Sequence, residues 1–413
     1  MNLQRALQPL LNLRSAVTIP VDNGGFMGLM GTQTKNGVNV SPRSALTLSA
    51  FFNGIEIITN DFAKLPKQVF QKTQDGRVKI DNHPVQYLLS KRPNQYMGAF
   101  MFNKIMLQYA ILKGNAFALI ERNNYTSAPT AIQLVDQDQT PVQVLKNNNK
   151  LYYLIDGVTY NAEDVIHVPG FSFNGITGIS VIQHAANSLG VSLSSAEFSA
   201  EWYNSKGIGT GIVTTTKEMT PDAKTRYAAA LSDALTVASN SYKTAVIDEG
   251  ASFQNIKITP QEAQFLATNK FGIEEVARFL NVPTHKLKSL DNTNNSITEQ
   301  LEISHVSDSI LPWAIKFDGE YEYKLFTNAE KKKGTYLRSN EAALLRADKK
   351  TQAEYFSKLV NAMIMKPAEA RKLLELPFEE DADVLLQPVN TQTKKQFDAK
   401  LEISAKSKNI SND

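Results

Sequence analysis

Two helical segments, 179–206 and 259–282, frame a short module, 207–258, that reads strand (211–215), helix (221–236), strand (244–247), strand (253–258). The order predicts that the two helices form a wall and that the module caps one end of it. A polar loop, 283–296, projects from the other end before a third, longer helix at 297–325. In the first segment Ile179, Ile182, Ala186, Leu189, Leu193, Ala196, Ala200 and Tyr203 recur every three or four residues, which keeps them on one face of a 3.6-residue helix. A second face is small or apolar as well: Val181, Ala185, Ser188, Ser192, Ser195 and Ser199. Such a helix has neighbours on more than one side, supplied either by copies packed laterally in a ring or by one large core.

The second segment opens on Thr259 as N-cap and Pro260 at the first helical position, with Glu262 in the first turn. Phe265, Leu266, Ile273, Val276, Ala277 and Leu280 form its apolar face, and Pro283 stops it. In the third helix Ile297, Leu301, Ile310, Trp313, Phe317 and Tyr321 share a face, and Pro312 in the middle predicts a kink.

A chain of 413 residues that is 42% hydrophobic can bury a sizeable core and is expected to form two or three domains. It has no cysteine, which removes disulfides, thiolate nucleophiles and most zinc sites and fits a reducing compartment. Its 44 basic and 41 acidic residues leave a net charge of +3, without the footprint of a protein that grips a duplex. No apolar run reaches the roughly 18 residues that cross a bilayer, and Gln4, Gln8 and Asn12 interrupt any signal-peptide core. No membrane association is expected; the chain reads as soluble and intracellular at synthesis.

Residues 1–40 are poorly patterned and read as a mobile arm. Leu48, Phe51, Ile55, Ile58, Phe62 and Leu65 then form a helical stripe that Pro66 stops. A hairpin, 67–72 with 77–80, turns on Gln74-Asp75-Gly76. A short helix opens at His83-Pro84, and another at about 99–113 ends at Gly114. Short β-prone runs at 116–121, 131–135, 141–145, 151–155 and 164–168 complete an α+β region. Near the C-terminus, Ala342, Leu345, Ala353, Phe356, Leu359 and Met363 make one more stripe, with a short helix at about 367–375 to fold back on it.

Catalytic constellations are absent. Gly207-Ile208-Gly209-Thr210-Gly211 follows a helix and precedes a strand, the reverse of a phosphate-cradling loop, whose amides must open a helix. His83, His167, His184, His285 and His305 include no pair at metal-ligand spacing on a helix. The acidic run Glu379, Glu380, Asp381, Asp383 lacks the alternation and glycine of a calcium loop and reads as a solvated surface. No cofactor, metal site or catalytic residue is expected.

Five phrases are more specific: ALTLSAFFNGIEIITNDFAKLPKQVFQ at 45–71, HPVQYLLSKRPNQYMGAFMFNKIMLQYAILKGNAFALIERN at 83–123, GITGISVIQHAANSLG at 175–190, FLATNKFGIEEVARFLNVPTHKL at 265–287 and LLRADKKTQAEYFSKLVNAMIMKPAEARKLLELP at 344–377. In this order they resemble the tailed-bacteriophage portal proteins, the HK97-type branch in particular. The resemblance covers about 45–390 and implies an α+β portal fold assembling as a ring, usually of 12 copies. Beside the 1–40 arm, it implies a wing at 41–178, a stem of 179–206 and 259–282, a small α/β clip at 207–258 and a tunnel loop at 283–296. The wing's long helix and following strand would be 297–339, a helical crown 340–387, and a flexible tail 388–413.

By the same resemblance the ring sits at one capsid vertex of the virion, assembled in the host cytoplasm. It passes double-stranded DNA during packaging and ejection, and contacts the terminase large subunit, the major capsid protein and a head–tail connector. A conduit wants few, movable contacts, since many neutralised phosphates would brake a sliding strand. Lys286 and Lys288 can touch phosphates while Asp291 offsets part of their charge, and Asn292, Asn294 and Asn295 offer neutral hydrogen bonds. A plain flexible connection between helices is the other reading of this loop. Glu197, Glu201, Glu262, Glu274 and Glu275 either line the lumen and repel the duplex or form salt bridges between subunits. Two further readings are a ring-forming adaptor that never meets DNA and a metal-dependent DNA-processing enzyme.

Overall fold

The computed structural model describes residues 17–19, 32–35, 37–74, 76–204, 211–215, 220–222, 224–226, 228–229, 251–255, 262–287, 295–344, 349–374 and 376–385. Three short strands come first: β1 (Val17–Ile19), β2 (Thr32–Gln33) and β3 (Asn39–Val40). Within the stretch 1–40, β1 adds an antiparallel edge to a later strand and β2 pairs with β3. Helix α1 (Pro42–Ala45) begins with a capping box at Ser41, and α2 (Ser49–Lys64) buries Phe51, Ile55, Ile58 and Phe62 as its spacing predicts. The hairpin of β4 (Lys67–Thr73) and β5 (Gly76–Lys79) turns on Gly76, whose φ of +134° suits a residue without a Cβ.

Helix α3 (Pro84–Ser90) is capped by the His83 ring, whose Nδ1 accepts from the Val85 N–H at 3.2 Å. Helix α4 (Ala99–Leu112) ends before Gly114, at φ +79°. The strands β6 (Asn115–Arg122), β7 (Pro129–Leu134), β8 (Val142–Asn147), β9 (Lys150–Ile155), β10 (Val158–Asn161) and β11 (Val165–Pro169) follow. Strand β10 was absent from the predicted set; at four residues beside Gly157 it carries too little pattern to register. The sheet orders are β1-β8-β9-β10 and β11-β6-β7, all antiparallel.

The predicted helix pair is α5 (Val181–Asn204) and α6 (Glu262–Leu280), and between them β12 (Gly211–Thr215) pairs antiparallel with β13 (Ala251–Asn255). Strand β13 was expected at 253–258. The predicted strand 244–247 and the end of the predicted helix 221–236 lie outside the described residues. Of the α5 stripe, Ile182, Ala186, Leu189 and Leu193 are buried, whereas Ala196 and Ala200 are exposed.

The third helix is interrupted just before Pro312, where the sequence predicts a disturbance. It consists of α7 (Asn295–Ser304), a π-turn over His305–Ile310 and α8 (Leu311–Leu325). Helix α9 (Asn328–Lys332) leads to β14 (Thr335–Ser339), which joins β4 to give the order β14-β4-β5.

Residues up to Leu344 form one compact unit and those from Leu345 a second. The second unit holds α10 (Lys349–Asn361) and α11 (Pro367–Leu373). On α10 Phe356 and Leu359 are half-buried, but Ala353 is exposed.

In the first unit one large core joins α2, α4 and α8 to the lower halves of the helix pair: Phe62, Phe102, Met106, Phe317 and Tyr321 lie with Ile182, Leu189, Val276 and Leu280. A smaller core gathers Phe117, Val142, Tyr153 and Val165. The base of α5 is clamped to the sheet by three close glycines. A Cβ on Gly178 would lie 2.0 Å from the Gly114 carbonyl oxygen, and one on Gly170 would lie 2.6 Å from that of Ala110. Asn115 completes the clamp, donating to the Gly178 carbonyl at 2.9 Å and accepting from the Gly178 N–H at 2.8 Å. Its Oδ1 also takes the His167 Nε2 proton at 2.9 Å, so His167 Nδ1 accepts from the Tyr153 hydroxyl at 3.1 Å. Burial, with the Lys324 charge nearby, pushes His167 down to about 3 and keeps it neutral.

Candidate functional site

Helix α6 ends in the way its sequence directs. Asn281 takes the left-handed conformation at φ +54°, Val282 N–H returns to the Ala277 carbonyl at 2.9 Å, and Pro283 prevents another turn. Thr284–Leu287 then forms a 3₁₀ turn with Leu287 buried. Leu280 and Leu287 close over Gly54 of α2, where a Cβ would come within 2.5 Å of Leu280 Cδ1. The chain is described again from Asn295, so the residues between, 288–294, leave and return at this point.

A cluster of charges ties the two ends of that segment together. Glu302 of α7 accepts from Lys286 Nζ at 2.6 Å and from His285 Nε2 at 3.2 Å. Asp61 of α2 accepts from Lys64 Nζ at 2.9 Å and His305 Nε2 at 3.2 Å, and lies 3.6 Å from Lys286 Nζ. Lys286 thus bridges a core helix and the returning helix. Burial alone would raise the Asp61 carboxyl, but the bonds from His305 and Lys64 and the charge of Lys286 outweigh it and hold it at about 2. Glu302 is lowered in the same way: burial opposes, and Lys286 and His285 prevail. The Nδ1 atoms of His285 and His305 are buried without a partner among the described residues, so each ring meets its carboxylate through Nε2 alone.

Beside the cluster a cleft of about 450 Å³ opens between the end of α6 and α7, lined by Arg278, Asn281, His285, Leu301, His305 and Asp308 among others. With Lys286 set between the two carboxylates, the chemistry here is that of a clasp. Among the described residues no group of three or more His, Asp or Glu side chains is arranged to hold a metal ion. No described helix is long and apolar enough to cross a membrane.

The residues singled out in the sequence are distributed unevenly. The Lys286 side chain is 17% exposed and engaged at Glu302. Lys288, Asn292 and Asn294 lie outside the described residues, and Asn295 is the first residue of α7, its side chain likewise outside. Glu197 and Glu201 are exposed on α5. Glu262 opens α6, its side chain outside the described set. Glu274 and Glu275 both bind Arg278, at 3.2 and 2.6 Å, and Glu275 also accepts from Ser188 of α5 at 3.2 Å.

Asp61, Glu302 and His305 escaped the sequence reading because the contact between Asp61 and His305 spans 244 positions. Asn281 left a local signal, an asparagine just past a helix end.

Comparison with known proteins bears on the whole chain. The family model described as phage portal protein matches residues 49–375. The chain is 24% identical over 377 residues to the portal protein of Enterobacteria phage HK97, covering 89% of this chain and 86% of that one. It is 26% identical to the probable portal protein of Streptomyces phage phiC31, covering 72% and 68%. Among solved structures, an HK97 family phage portal protein from Corynebacterium diphtheriae superposes with a TM-score of 0.57 at 14% identity, over 77% of this chain and 98% of that one. A chain in the neck of a native gene transfer agent particle, computed with C12 symmetry, gives 0.56 at 15% identity, over 92% and 100%. At such identities the likeness is one of fold.

Proposed function

Because this chain belongs to the phage portal protein family, we propose that it is the structural subunit of a ring at one vertex of a capsid, and that double-stranded DNA passes along the ring axis. The observation that carries this reading is the family match over 49–375, which takes in both helices of the pair, the module between them and the segment 288–294. The C12 symmetry of the similar gene transfer agent neck supports a ring of 12. In this reading residues 41–178 with 297–339 form the wing, α5 and α6 the stem, 207–258 the clip and 345–387 the crown. The ring assembles in the host cytoplasm, docks the terminase large subunit, the major capsid protein and a head–tail connector, and performs no catalysis itself.

Segment 288–294 is the tunnel loop, with Lys288, Asn292 and Asn294 toward the duplex and Asn295 at its root. Lys286 anchors it through Glu302 instead of touching phosphate. The order of elements supports this, since the loop leaves the helix pair at the end opposite the module. Few contacts per subunit suit a strand that must slide, and repetition around the ring makes even weak ones count.

The test is the mass of the purified protein with images of the particles, followed by packaging with Lys288→Ala. A ring with an axial hole whose Lys288→Ala form assembles normally but retains DNA poorly is the expected result. A chain that stays small at high concentration and with capsid protein present overturns it.

A further inference from the structure

The outward face of the sheet β14-β4-β5 is basic, far in sequence from the helix pair and its loop. We propose that the corner of this face carrying Lys72 and Arg77, with the adjoining Lys332 and Lys333, binds the phosphate backbone of duplex DNA lying outside the axial channel. The proposal goes beyond the conduit reading, and the surface belongs to a single chain.

Strand alternation separates the two faces of the sheet. Lys67, Val69, Thr335, Leu337 and Ser339 turn inward and are buried. In register Phe70 stands between Tyr336 and Lys79, and Lys72 stands opposite Arg77, so these residues share the outward face. Lys72, Arg77 and Lys79 are exposed there. The Phe70 and Tyr336 rings stack at 5.7 Å, and the Arg77 guanidinium lies over Phe70 at 5.1 Å, which keeps that cation against the sheet. Gly334 extends the patch. It takes φ +78° after α9, and its carbonyl accepts from the Lys72 N–H at 2.9 Å, which brings the end of the lysine run to the same corner. Lys332 and Lys333 are exposed, whereas Lys331 donates to the Tyr323 carbonyl at 2.6 Å.

The acids nearby are taken by other partners. Asp81 pairs with Lys79 at 2.7 Å, Glu341 pairs with Arg338 at 3.2 Å, and Glu330 accepts from the Thr327 N–H at 2.7 Å and meets His83 at 2.9 Å. Lys72, Arg77, Lys332 and Lys333 make no ion pair among the described residues; Asp75, in the hairpin turn, lies outside them. A net charge of +3 over the chain is compatible with such a corner, because uncompensated cations act within a Debye length, about 8 Å at physiological salt. The face fits a phosphate backbone better than a protein. Stable protein interfaces centre on apolar anchors, whereas the two rings here are half-buried and one lies under a guanidinium. Cations on an open strand surface position a duplex without reading its bases.

A covalently closed circular duplex tests this, because it cannot thread a ring that has already closed. The full-length protein is expected to bind it, with an affinity that falls steeply with salt. Lys72→Gln with Lys333→Gln is expected to weaken binding about tenfold at low salt, with the melting temperature unchanged, and to flatten the dependence of log K on log salt by about one for each lysine lost from a contacting copy. Lys146→Gln with Lys150→Gln removes the same charge from exposed positions on another sheet and is expected to change neither. Equal weakening by both pairs, or by neither, overturns the proposal. A polyglutamate peptide that binds more tightly than a duplex of equal charge assigns the face to an acidic protein and overturns it as well. So does a Lys72→Gln, Lys333→Gln protein that melts as the wild type does but no longer closes rings, which assigns the face to contact between copies. A chain that forms no ring yet binds the circle through these lysines overturns the ring reading and leaves this proposal standing.

Discussion

Asn281 and Asp308 meet where the second helix of the pair ends, the Asn281 amide donating to the Asp308 carbonyl oxygen at 3.0 Å. Asp308 stands four residues before Pro312, so its carbonyl is the one that an ordinary residue at 312 would have bonded. The π-turn belongs to the same adjustment, since the Leu311 N–H reaches back five residues to the Val306 carbonyl and the widened turn makes room for the proline ring. The Ser309 hydroxyl donates to the Asn281 carbonyl in return. A helix end and a helix defect thus satisfy each other.

Replacing Asn281 separates its two duties. Asn281→Gly keeps the left-handed backbone and loses only the side-chain bond, for about 1–2 kcal/mol; Asn281→Ala adds about 1 kcal/mol because a Cβ is strained at positive φ. Pro312→Ala supplies the missing N–H and is expected to shrink the cost of Asn281→Gly. Urea unfolding of the four variants measures this, and strictly additive losses would contradict the coupling.

Beneath the clasp, Lys67 donates to Asp318 at 3.3 Å and to the Ser339 hydroxyl at 3.1 Å, with its side chain 1% exposed and the Phe62 ring 4.8 Å away. Removing the carboxylate strands a buried cation. Asp318→Ala is expected to cost about 3–5 kcal/mol, and the paired change Lys67→Met with Asp318→Leu far less. Thermal melting of the two proteins decides it.

The clasp has an acid limit whose sign follows from its carboxylates. Asp61 drops from its ordinary 3.8 to about 2 in the folded chain, so its contribution is fully present above about pH 4 and is lost as the pH falls through 2. Glu302, lowered as well, adds loss in the same direction. The difference in melting temperature between the wild type and Asp61→Asn is expected to be flat near neutrality and to shrink below about pH 4. A difference that grows on acidification would mean that the carboxylate is not what Lys64, His305 and Lys286 stabilise.

Glu302→Gln loosens the root of the loop without emptying the core, because Lys286 keeps Asp61 at 3.6 Å. Hydrogen exchange at Thr284–Leu287 is expected to speed up about tenfold while α2 exchanges as before. Equal acceleration in both places would make Glu302 a general stabiliser and not a local latch.

At Gly178 a side chain has no room. Its Cβ would sit 2.0 Å from the Gly114 carbonyl oxygen, which is backbone and cannot swing aside. Gly178→Ala is expected to cost about 3 kcal/mol or more and to shift the base of α5, while Gly175→Ala, with open space around it, costs about 1 kcal/mol through its positive φ alone. Melting temperatures of the two variants give the comparison.

The sequence by itself determined the elements whose causes are local. Spacing of apolar residues located α2, α4, α5 and α6. Gly76 and Gly114 marked a turn and a helix end, and Pro283 marked the stop of α6 because a missing N–H and a fixed φ act on the nearest turn only. Tertiary structure alone decided what depends on distant partners. The carboxylates that hold Lys286 come from Asp61 and from Glu302 beyond residues 288–294, so the ion pairs of a lysine named for its charge come from distant positions. Short β1 forms on an edge supplied by β8, more than a hundred residues away, and has too few residues to announce itself. Pro312 predicted a disturbance in the third helix, but the donor that the freed Asp308 carbonyl receives, the Asn281 side chain, comes from the end of another helix. Periodicity and punctuation write local preference into consecutive residues, whereas the pairing of charges and orphaned carbonyls is settled by which surfaces the packed core brings within reach.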